Sequence, residues 1–280
     1  MPDIIETIEQ DIIKAIEEDR VQLPTLPEVA LKIRETVNDS NSSIADLTNV
    51  ISNDAAISAR IIKVCNSPLL RPPNPVSSLQ MAINRLGMQY TADLATGLAM
   101  SQMFQATTDV IDTRMRDLWS HNTMVAGLCH ALAENNTRLS PAKAMLAGLT
   151  HKIGTLPILY YAEDHDHLSE DPQTLDLIIS KLHQTLGTKI LETWDFEPDI
   201  CKVPNEYLDF KRDTEKSDFV DVVMVANLQS LMAQDHPYNE MDWSQIPAFT
   251  KLGINPYPEE SEEDEEDLTA NMEAAFALLR

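Results

Sequence analysis

The sequence predicts an all-α protein built as a two-lobed helical bundle. Only 7 glycines and 5% aromatic residues occur among 280, a composition typical of helix bundles rather than β-sandwiches or glycine-punctuated α/β folds. No segment sustains the alternation of apolar and polar residues that a half-buried strand requires. With 43% hydrophobic residues, the chain can bury one large core or the cores of two lobes.

The first predicted element is an amphipathic helix within residues 1–20. Its isoleucines recur at the spacing of one helix face, which therefore needs a partner surface. The helix is predicted to end before VQLPTLP, because the prolines of that segment favour extended backbone and remove amide donors. The isoleucines are Ile4, Ile5, Ile8, Ile12, Ile13 and Ile16.

Residues 21–110 are predicted to form an N-terminal helical lobe. Its first helix begins near Pro27, a later one ends at Gly87, and a long helix over about 88–105 closes the lobe. Short polar side chains stand where they can accept hydrogen bonds from the first amides of three helices. These residues are Ser43, Asp54 and one of Ser77 and Ser78.

Residues 111–235 are predicted to form a second helical lobe. Its first helix covers about 114–134, and Ser140 caps a following helix whose first position is Pro141. Further helical patterns cover about 173–194, 198–208 and 217–233.

Residues 236–280 are predicted to form a C-terminal extension. Its acidic run, 259–267, holds eight acidic residues and contributes −8 of the formal charge of −24. The run is either a solvated tail or a docking element for a basic partner.

The overall charge argues against several classes of partner. With a charge of −24, a pI near 4.5 and no cluster of basic residues, the chain would be repelled by nucleic acid. The N-terminus lacks the basic start and apolar run of a signal peptide, and no apolar stretch reaches about 18 residues, so we expect no membrane partner and a cytoplasmic location. Cys65, Cys129 and Cys201 lack CxxC spacing, suit a reducing compartment and are expected in the core.

Histidines are the main candidates for catalytic or metal-binding chemistry. The sequence contains no GxxxxGKS/T, GxGxxG or GxSxG motif, which argues against nucleoside triphosphatases, dehydrogenases and serine hydrolases. His165 and His167 lie in the polar segment DHDH, where we expect solvated loop side chains. His121, His151 and His183 lie beside apolar residues in predicted helices, where a histidine taken alone is most often part of the core.

Several blocks of sequence carry a resemblance to a known family. In order along the chain they are LPTLPEVALKIRETVND, SIADLTNVISNDAAISARIIKVCNSP, PVSSLQMAINRLG, LWSH, AGLTHKIG and LGTKILETWDFEPDI. In wording and order these blocks resemble the HDOD family, the HD-related output domains of bacterial signalling proteins, over roughly residues 20–235. The resemblance implies that the second lobe is an HD-like lobe, similar to the domain of HD phosphohydrolases.

The resemblance also implies where a metal site would lie. HD phosphohydrolases bind divalent metal through a first His, a His-Asp pair and a later Asp. The first His matches His121, the His of the pair matches His151, and His183 matches an intermediate histidine position. The Asp of the pair is replaced by Lys152, and the later Asp corresponds to Asn227. These five residues would form a vestigial HD pocket.

Both departures from the family pattern remove charged ligands. Carboxylates neutralise and bridge a hard cation, which imidazoles alone do not, and metal-dependent hydrolysis needs the ion to activate water. We therefore expect no metal and no cofactor, and any metal that did bind would use His121, His151 and His183. Lys152 either points into solvent from a helix end or supplies a positive charge to a pocket suited to a small anionic ligand.

Two functional hypotheses follow. The first is a non-catalytic signal-transduction module that acts by binding protein partners of a signalling pathway, with association into a homo-oligomer through the N-terminal helix left open. The second is a metal-dependent phosphohydrolase or phosphodiesterase with a reduced site of three histidines. The missing carboxylates favour the first hypothesis.

Overall fold

The chain is helical wherever the structure describes it. The structure is a computed structural model that describes residues 2–18, 20–21, 23–67, 70, 74–232 and 234–257, with side chains for all of these except 2–5, 17 and 136. No β-strand occurs in these ranges, and the predicted all-α class is confirmed.

The helices follow one another through short connections. In the first part of the chain they are α1 (Pro2–Glu17), α2 (Glu28–Asn38), α3 (Ile44–Ser52), α4 (Ala55–Cys65), α5 (Leu79–Leu86) and α6 (Met88–Ala99). In the second part they are α7 (Asp109–Asn136), α8 (Pro141–Thr150), α9 (Thr155–Glu163), α10 (Asp166–Ser169), α11 (Pro172–Thr193), α12 (Pro198–Cys201), α13 (Val203–Glu206), α14 (Phe219–Leu231) and α15 (Pro247–Leu252). Single 3₁₀ turns cover Met100–Met103, Pro237–Glu240 and Trp243–Gln245.

The predicted helix caps are confirmed. Ser43 and Asp46 form a reciprocal capping box at the start of α3, and the Asp54 carboxylate accepts hydrogen bonds from the first amides of α4. Of the two serines proposed for α5, Ser78 accepts from an amide of the first turn. Ser140 caps α8, whose first residue is Pro141. These caps satisfy amide donors that have no partner within the helix.

Three predicted boundaries were wrong. The closing helix of the first lobe is α6, which ends at Ala99 and continues only as a 3₁₀ turn. In that turn the Ser101 hydroxyl donates to the carbonyl of Leu98. Helix α7 begins five residues earlier than predicted, because the Glu163 carboxylate accepts the amides of Thr107 and Thr108 just before it. The segment 198–208 is divided into α12 and α13, since Pro204 has no amide hydrogen to continue one helix.

The helices pack in two groups around one continuous apolar core. Helices α2 to α6 contact one another, α7, α8, α9, α11 and α14 form the second group, and buried residues from Ile8 to Leu252 belong to a single cluster. Helix α1 packs against α11 of the second group, where Glu9 Oε1 lies 2.6 Å from Lys181 Nζ. Cys65, Cys129 and Cys201 are buried free thiols of this core, as predicted.

The junction between the groups contains a clamp at the end of α11. Helix α6 packs on both α2 and α8. The Arg34 guanidinium of α2 donates to the carbonyls of Trp194 and Asp195 at 2.5 and 2.6 Å and lies over the Phe196 ring. Asp195 adopts a left-handed backbone conformation, φ 55°. The Trp194 indole donates to the carbonyl of Pro24 at 2.9 Å, so the proline-containing segment before α2 is fixed to the same point.

Residues 237–252 fold against α14. Trp243 and Phe249 stack there and are buried in the common core. The acidic run 259–267 lies outside the described residues. Across the described ranges, none of the helices is both long and apolar enough to span a bilayer.

Candidate functional site: a histidine cluster around a buried lysine

The predicted pocket residues come from four separate elements that meet in the second group of helices. His121 lies in the middle of α7, His151 and Lys152 lie in the turn between α8 and α9, His183 lies on α11, and Asn227 lies on α14. The structure brings all five together: each of them contacts another member of the set or a residue of the same cavity.

Two glycines allow the turn that carries His151 to approach its neighbours closely. A Cβ on Gly148 would lie 2.7 Å from Ala126 Cα of α7, and a Cβ on Gly154 would lie 2.0 Å from the His183 carbonyl oxygen of α11. Real Cβ atoms do not come so near to backbone, so only glycine fits at either position. The motif AGLTHKIG therefore holds its histidine and lysine against α7 and α11 by backbone contact.

Lys152 points into the cluster and not into solvent. Its Nζ lies 3.0 Å from His121 Nε2, and the same imidazole nitrogen lies 3.2 Å from Asn227 Oδ1. A single ring nitrogen cannot both accept from the lysine and donate to the amide. The ammonium favours the tautomer in which Nε2 is unprotonated and accepts its hydrogen bond.

The other two histidines have tautomers fixed by their own helices. His151 Nδ1 lies 2.6 Å from the carbonyl oxygen of Gly148, and His183 Nδ1 lies 2.6 Å from that of Ile179. Because each Nδ1 donates, each Nε2 is an acceptor. His183 Nε2 accepts from the Tyr207 hydroxyl at 2.9 Å, whereas the buried His151 Nε2 has no hydrogen-bond partner among the described residues.

Burial holds the cluster histidines neutral. It lowers the pKa of His121 to about 3 and that of His151 well below its ordinary value, and the Lys152 ammonium lowers both further. The pKa of His183 is lowered for the same two reasons, against the opposing effect of its backbone hydrogen bond. Burial also lowers the pKa of Lys152 to about 8, so the lysine remains mostly charged at pH 7 while its three neighbours are uncharged.

The side chains do not fit a divalent metal ion. Among the described residues, no group of three or more His, Cys, Asp or Glu side chains is arranged to share one. His121 Nε2 is engaged by an ammonium, His183 Nε2 by a tyrosine hydroxyl, and neither carboxylate of the family pattern is present. A cation brought to His121 would meet the positive charge of Lys152 at close range.

A cavity of about 750 Å³ opens beside the cluster. Lys152, Thr155, His183, Tyr207 and Asn227 supply polar groups to its wall. The apolar part of the wall consists of Leu118, Leu159, Ile179, Leu208 and Leu231. This combination of an apolar lining and a few convergent polar groups is typical of small-molecule sites, and the volume falls within their usual range.

The mouth of the cavity carries charged residues that sequence reasoning missed. Arg114 Nη1 lies 2.7 Å from Asp176 Oδ1, and their side chains are 25% and 65% exposed. Asp117, His236 and Tyr238 also line this side. Arg114 of α7 and Asp176 of α11 are 62 residues apart in the sequence. Their pairing therefore left no local signal in the sequence.

Tyr207 is a polar neighbour of the histidines that the sequence analysis did not single out. It is fully buried, and its ring edge also faces His151 at 5.0 Å between centroids. The loop after it is fixed by Arg212, which pairs with Glu206, Asp218 and Asp221. This buried network holds the segment that carries Tyr207 against the start of α14.

The DHDH histidines lie apart from this site. His165 Nδ1 lies 2.6 Å from the carbonyl oxygen of Tyr161, and its ring stacks on the tyrosine ring at 3.9 Å. His167 lies in the short helix α10 and meets His165 edge to face. Neither residue lines the cavity of the cluster.

The chain is similar to known proteins in sequence and in fold. The family model of the HDOD domain matches residues 23–207. An uncharacterized protein of Treponema pallidum (strain Nichols) is 24% identical over 211 residues, which cover 68% of this chain and 40% of that protein. The chain thus spans about two fifths of the length of that curated relative.

Solved structures share the fold over almost the whole chain. A Shewanella amazonensis SB2B protein, provisionally named a metal-dependent phosphohydrolase, is 27% identical with a TM-score of 0.85 and 99% coverage of both chains. An HDOD domain protein of unknown function from Geobacter sulfurreducens is 21% identical, with a TM-score of 0.65 and coverage of 99% and 98%. The second of these identities is low enough that the likeness concerns the fold alone.

Proposed function

The chain belongs to the HDOD domain family, and we propose that it is a non-catalytic module of signal transduction that acts by binding partner proteins. The observation that carries the proposal is the position of Lys152, whose ammonium lies 3.0 Å from His121 Nε2. A protein cation in that position takes a nitrogen lone pair that a metal would need and repels a second cation. Without the ion, the water activation of HD chemistry has no source in these residues.

The surrounding residues support the same proposal. Asn227 offers a neutral amide where the family pattern has a carboxylate, and Tyr207 engages the third histidine. The cluster histidines are neutral at pH 7, and none of them is paired with a carboxylate that would strengthen it as a base. Two of the three histidines, His121 and His183, thus already have hydrogen-bond partners for the Nε2 atom that a metal would need.

One observation favours the alternative, a metal-dependent phosphohydrolase with three histidine ligands. His151 and His183 both direct an unprotonated Nε2 inward, and His151 Nε2 has no partner among the described residues. The Shewanella protein with the provisional phosphohydrolase name, 27% identical, points the same way. Three imidazoles suffice for zinc in other proteins.

Metal content and turnover separate the two functions. Protein purified without chelator would be analysed for bound metal, then tested with added Mn²⁺ on phosphomonoesters, nucleotides and cyclic dinucleotides. We expect substoichiometric metal and no turnover above that of a His151→Ala variant. Stoichiometric metal together with turnover that His151→Ala abolishes would overturn the non-catalytic proposal.

Restoring the two carboxylates tests the reason for inactivity. The double variant Lys152→Asp, Asn227→Asp is expected to bind Mn²⁺ or Zn²⁺ at least tenfold more tightly than the parent chain, because it removes the competing ammonium and adds two anionic ligands. Lys189→Asp, which makes the same lysine-to-aspartate change at an exposed position of α11, is the control. A double variant that gains no affinity, measured by titration calorimetry, would mean that Lys152 and Asn227 do not occupy the ligand positions.

A further inference from the structure

Among the described residues, Lys152 differs in its partner from the other half-buried lysines. Lys143 pairs with Glu197, Lys202 with Asp218, and Lys251 with Asp221, each at less than 3.0 Å. Lys152 instead contacts the neutral imidazole of His121. No carboxylate among the described residues lies within ion-pair distance of Lys152 Nζ. Its positive charge is therefore largely desolvated and uncompensated, which is costly unless an anion completes it.

The cavity beside Lys152 offers a second unmatched polar group. Thr155 lies on the same wall and is 4% exposed, and its hydroxyl has no hydrogen-bond partner among the described residues. Thr155 begins α9, three residues after Lys152 in the chain. Lys152 and Thr155 thus line the same cavity, whose wall also includes leucine and isoleucine side chains.

The charges around the cavity limit how negative a bound group can be. Lys152 is the unpaired cation of the described lining residues, since Arg114 is paired with Asp176. Asp117 and Asp176 lie at the mouth. One positive charge balances one negative charge, while a dianion would leave an excess negative charge on the same side as the Asp117 carboxylate.

We propose that this cavity binds a small organic monoanion, with a carboxylate or phosphodiester group on Lys152 Nζ and the Thr155 hydroxyl and an apolar body against the leucines of α7, α9 and α14. The proposal rests on the proposed function, because it requires that Lys152 and not a metal be the resident cation. The ligand would be held without being hydrolysed, and its presence would be the signal that the module senses.

Titration calorimetry at pH 7 on EDTA-treated protein tests the charge requirement. The probes are phenylacetate and methyl phenyl phosphate as monoanions, phenylacetamide as the neutral isostere, and phenyl phosphate, which is largely dianionic. We expect at least one monoanion to bind saturably at millimolar concentration, and at least fivefold more tightly than phenylacetamide and phenyl phosphate. Which monoanion binds distinguishes a carboxylate ligand from a phosphodiester. The absence of binding by both monoanions, or equal binding of phenylacetamide, would overturn the proposal.

Two variants test the residues that carry the inference. Lys152→Met keeps the length of the side chain and is expected to weaken monoanion binding at least tenfold, and Thr155→Val, which is nearly isosteric, is expected to weaken it about threefold. Lys189→Met is the matched control and should bind as the parent chain does. Unchanged binding by Lys152→Met, with its fold verified by circular dichroism, would exclude this site.

The same titration separates failure of this inference from failure of the proposed function. Monoanion binding that appears only after Mn²⁺ is added would show that a metal is the resident cation and would overturn both. An absence of binding with and without Mn²⁺, in protein that shows no turnover, would overturn the ligand alone.

Discussion

His151 and His183 each donate the Nδ1 hydrogen to a carbonyl of their own backbone segment, three or four residues earlier. This contact depends only on the helical path, so it fixes the tautomer without help from another side chain. The Lys152 ammonium engages His121, and its charge adds to burial, the main cause, in lowering the pKa of all three imidazoles. Burial and one neighbouring cation together keep the cluster histidines neutral.

The buried charge of Lys152 leads to a prediction about stability. At pH 7, Lys152→Met is expected to raise the free energy of unfolding by about 2 kcal/mol, because the variant no longer desolvates an ammonium whose pKa burial has lowered from 10.5 to about 8. Urea unfolding measures the change, and Lys189→Met should alter stability by no more than about 0.5 kcal/mol. A marked loss of stability in Lys152→Met would mean that the ammonium is a net stabilising contact.

At the scale of elements, the turn between α8 and α9 is held by close backbone approach. Gly154→Ala would place a Cβ 2.0 Å from the His183 carbonyl oxygen and 2.4 Å from the Gly187 amide nitrogen. Because both contacts are backbone atoms, the helices must separate, and we expect a loss of about 3 kcal/mol or more. Gly97→Ala is the comparison: its nearest contact is the movable Leu149 Cδ1 at 2.5 Å, so about 1 kcal/mol is expected. Equal losses in urea unfolding would contradict this account.

Sequence patterns predicted those elements whose start is set locally. Ser43, Asp54 and Ser140 cap within three residues of their own position, so their sequence context was sufficient. The start of α7 was missed because the two amides just before it are satisfied by Glu163, more than fifty residues away.

In the candidate site, too, some features could be predicted from the sequence and others depend on contacts between distant segments. The family resemblance pointed to the five pocket residues, and the structure brings them together, but whether Lys152 faces solvent or the cluster depends on how α8 and α9 pack against α7. Tyr207 and the Arg114–Asp176 pair reach the cavity only through contacts between distant segments. Single-sequence periodicity contains no record of such contacts.

At the scale of the whole molecule, the junction between the helix groups contains an unusual carboxyl. Asp93 of α6 lines a cavity of about 130 Å³ between the groups, is 8% exposed, and accepts one hydrogen bond from Gln89. Its Oδ2 and the Thr96 hydroxyl have no hydrogen-bond partner among the described residues. Burial raises the pKa of Asp93 to about 6, against the lowering effects of Gln89, Lys143 and Arg34.

This carboxyl predicts a dependence of stability on pH. Between about pH 4 and pH 6 the folded chain holds a proton on Asp93 that the unfolded chain has lost, so the contribution of this residue to stability falls as the pH rises. The shift from 3.8 to about 6 corresponds to about 3 kcal/mol. Asp93→Asn should remove this dependence.

Urea unfolding of wild type and Asp93→Asn between pH 4 and pH 7.5 measures the effect as a difference. The stability of the variant relative to wild type should increase from pH 4 to pH 6 and remain constant above that. Asp166→Asn, at an exposed position of α10, serves as the control. A difference that does not change with pH would mean that Asp93 ionises in the folded chain as it does in the unfolded one.

Three of the contacts that helix α11 makes are spread along its 22 residues, a length of about 33 Å. Lys181 ties it to α1, His183 ties it to the cavity through Tyr207, and its C-terminal end lies in the Arg34 clamp. An unbroken helix held at these points moves as a rigid body, so a displacement at one contact is transmitted to the other two. A ligand that shifted His183 would therefore also shift the contact of α11 with α1 and its contact with Arg34 in the first group of helices, with no hinge between them.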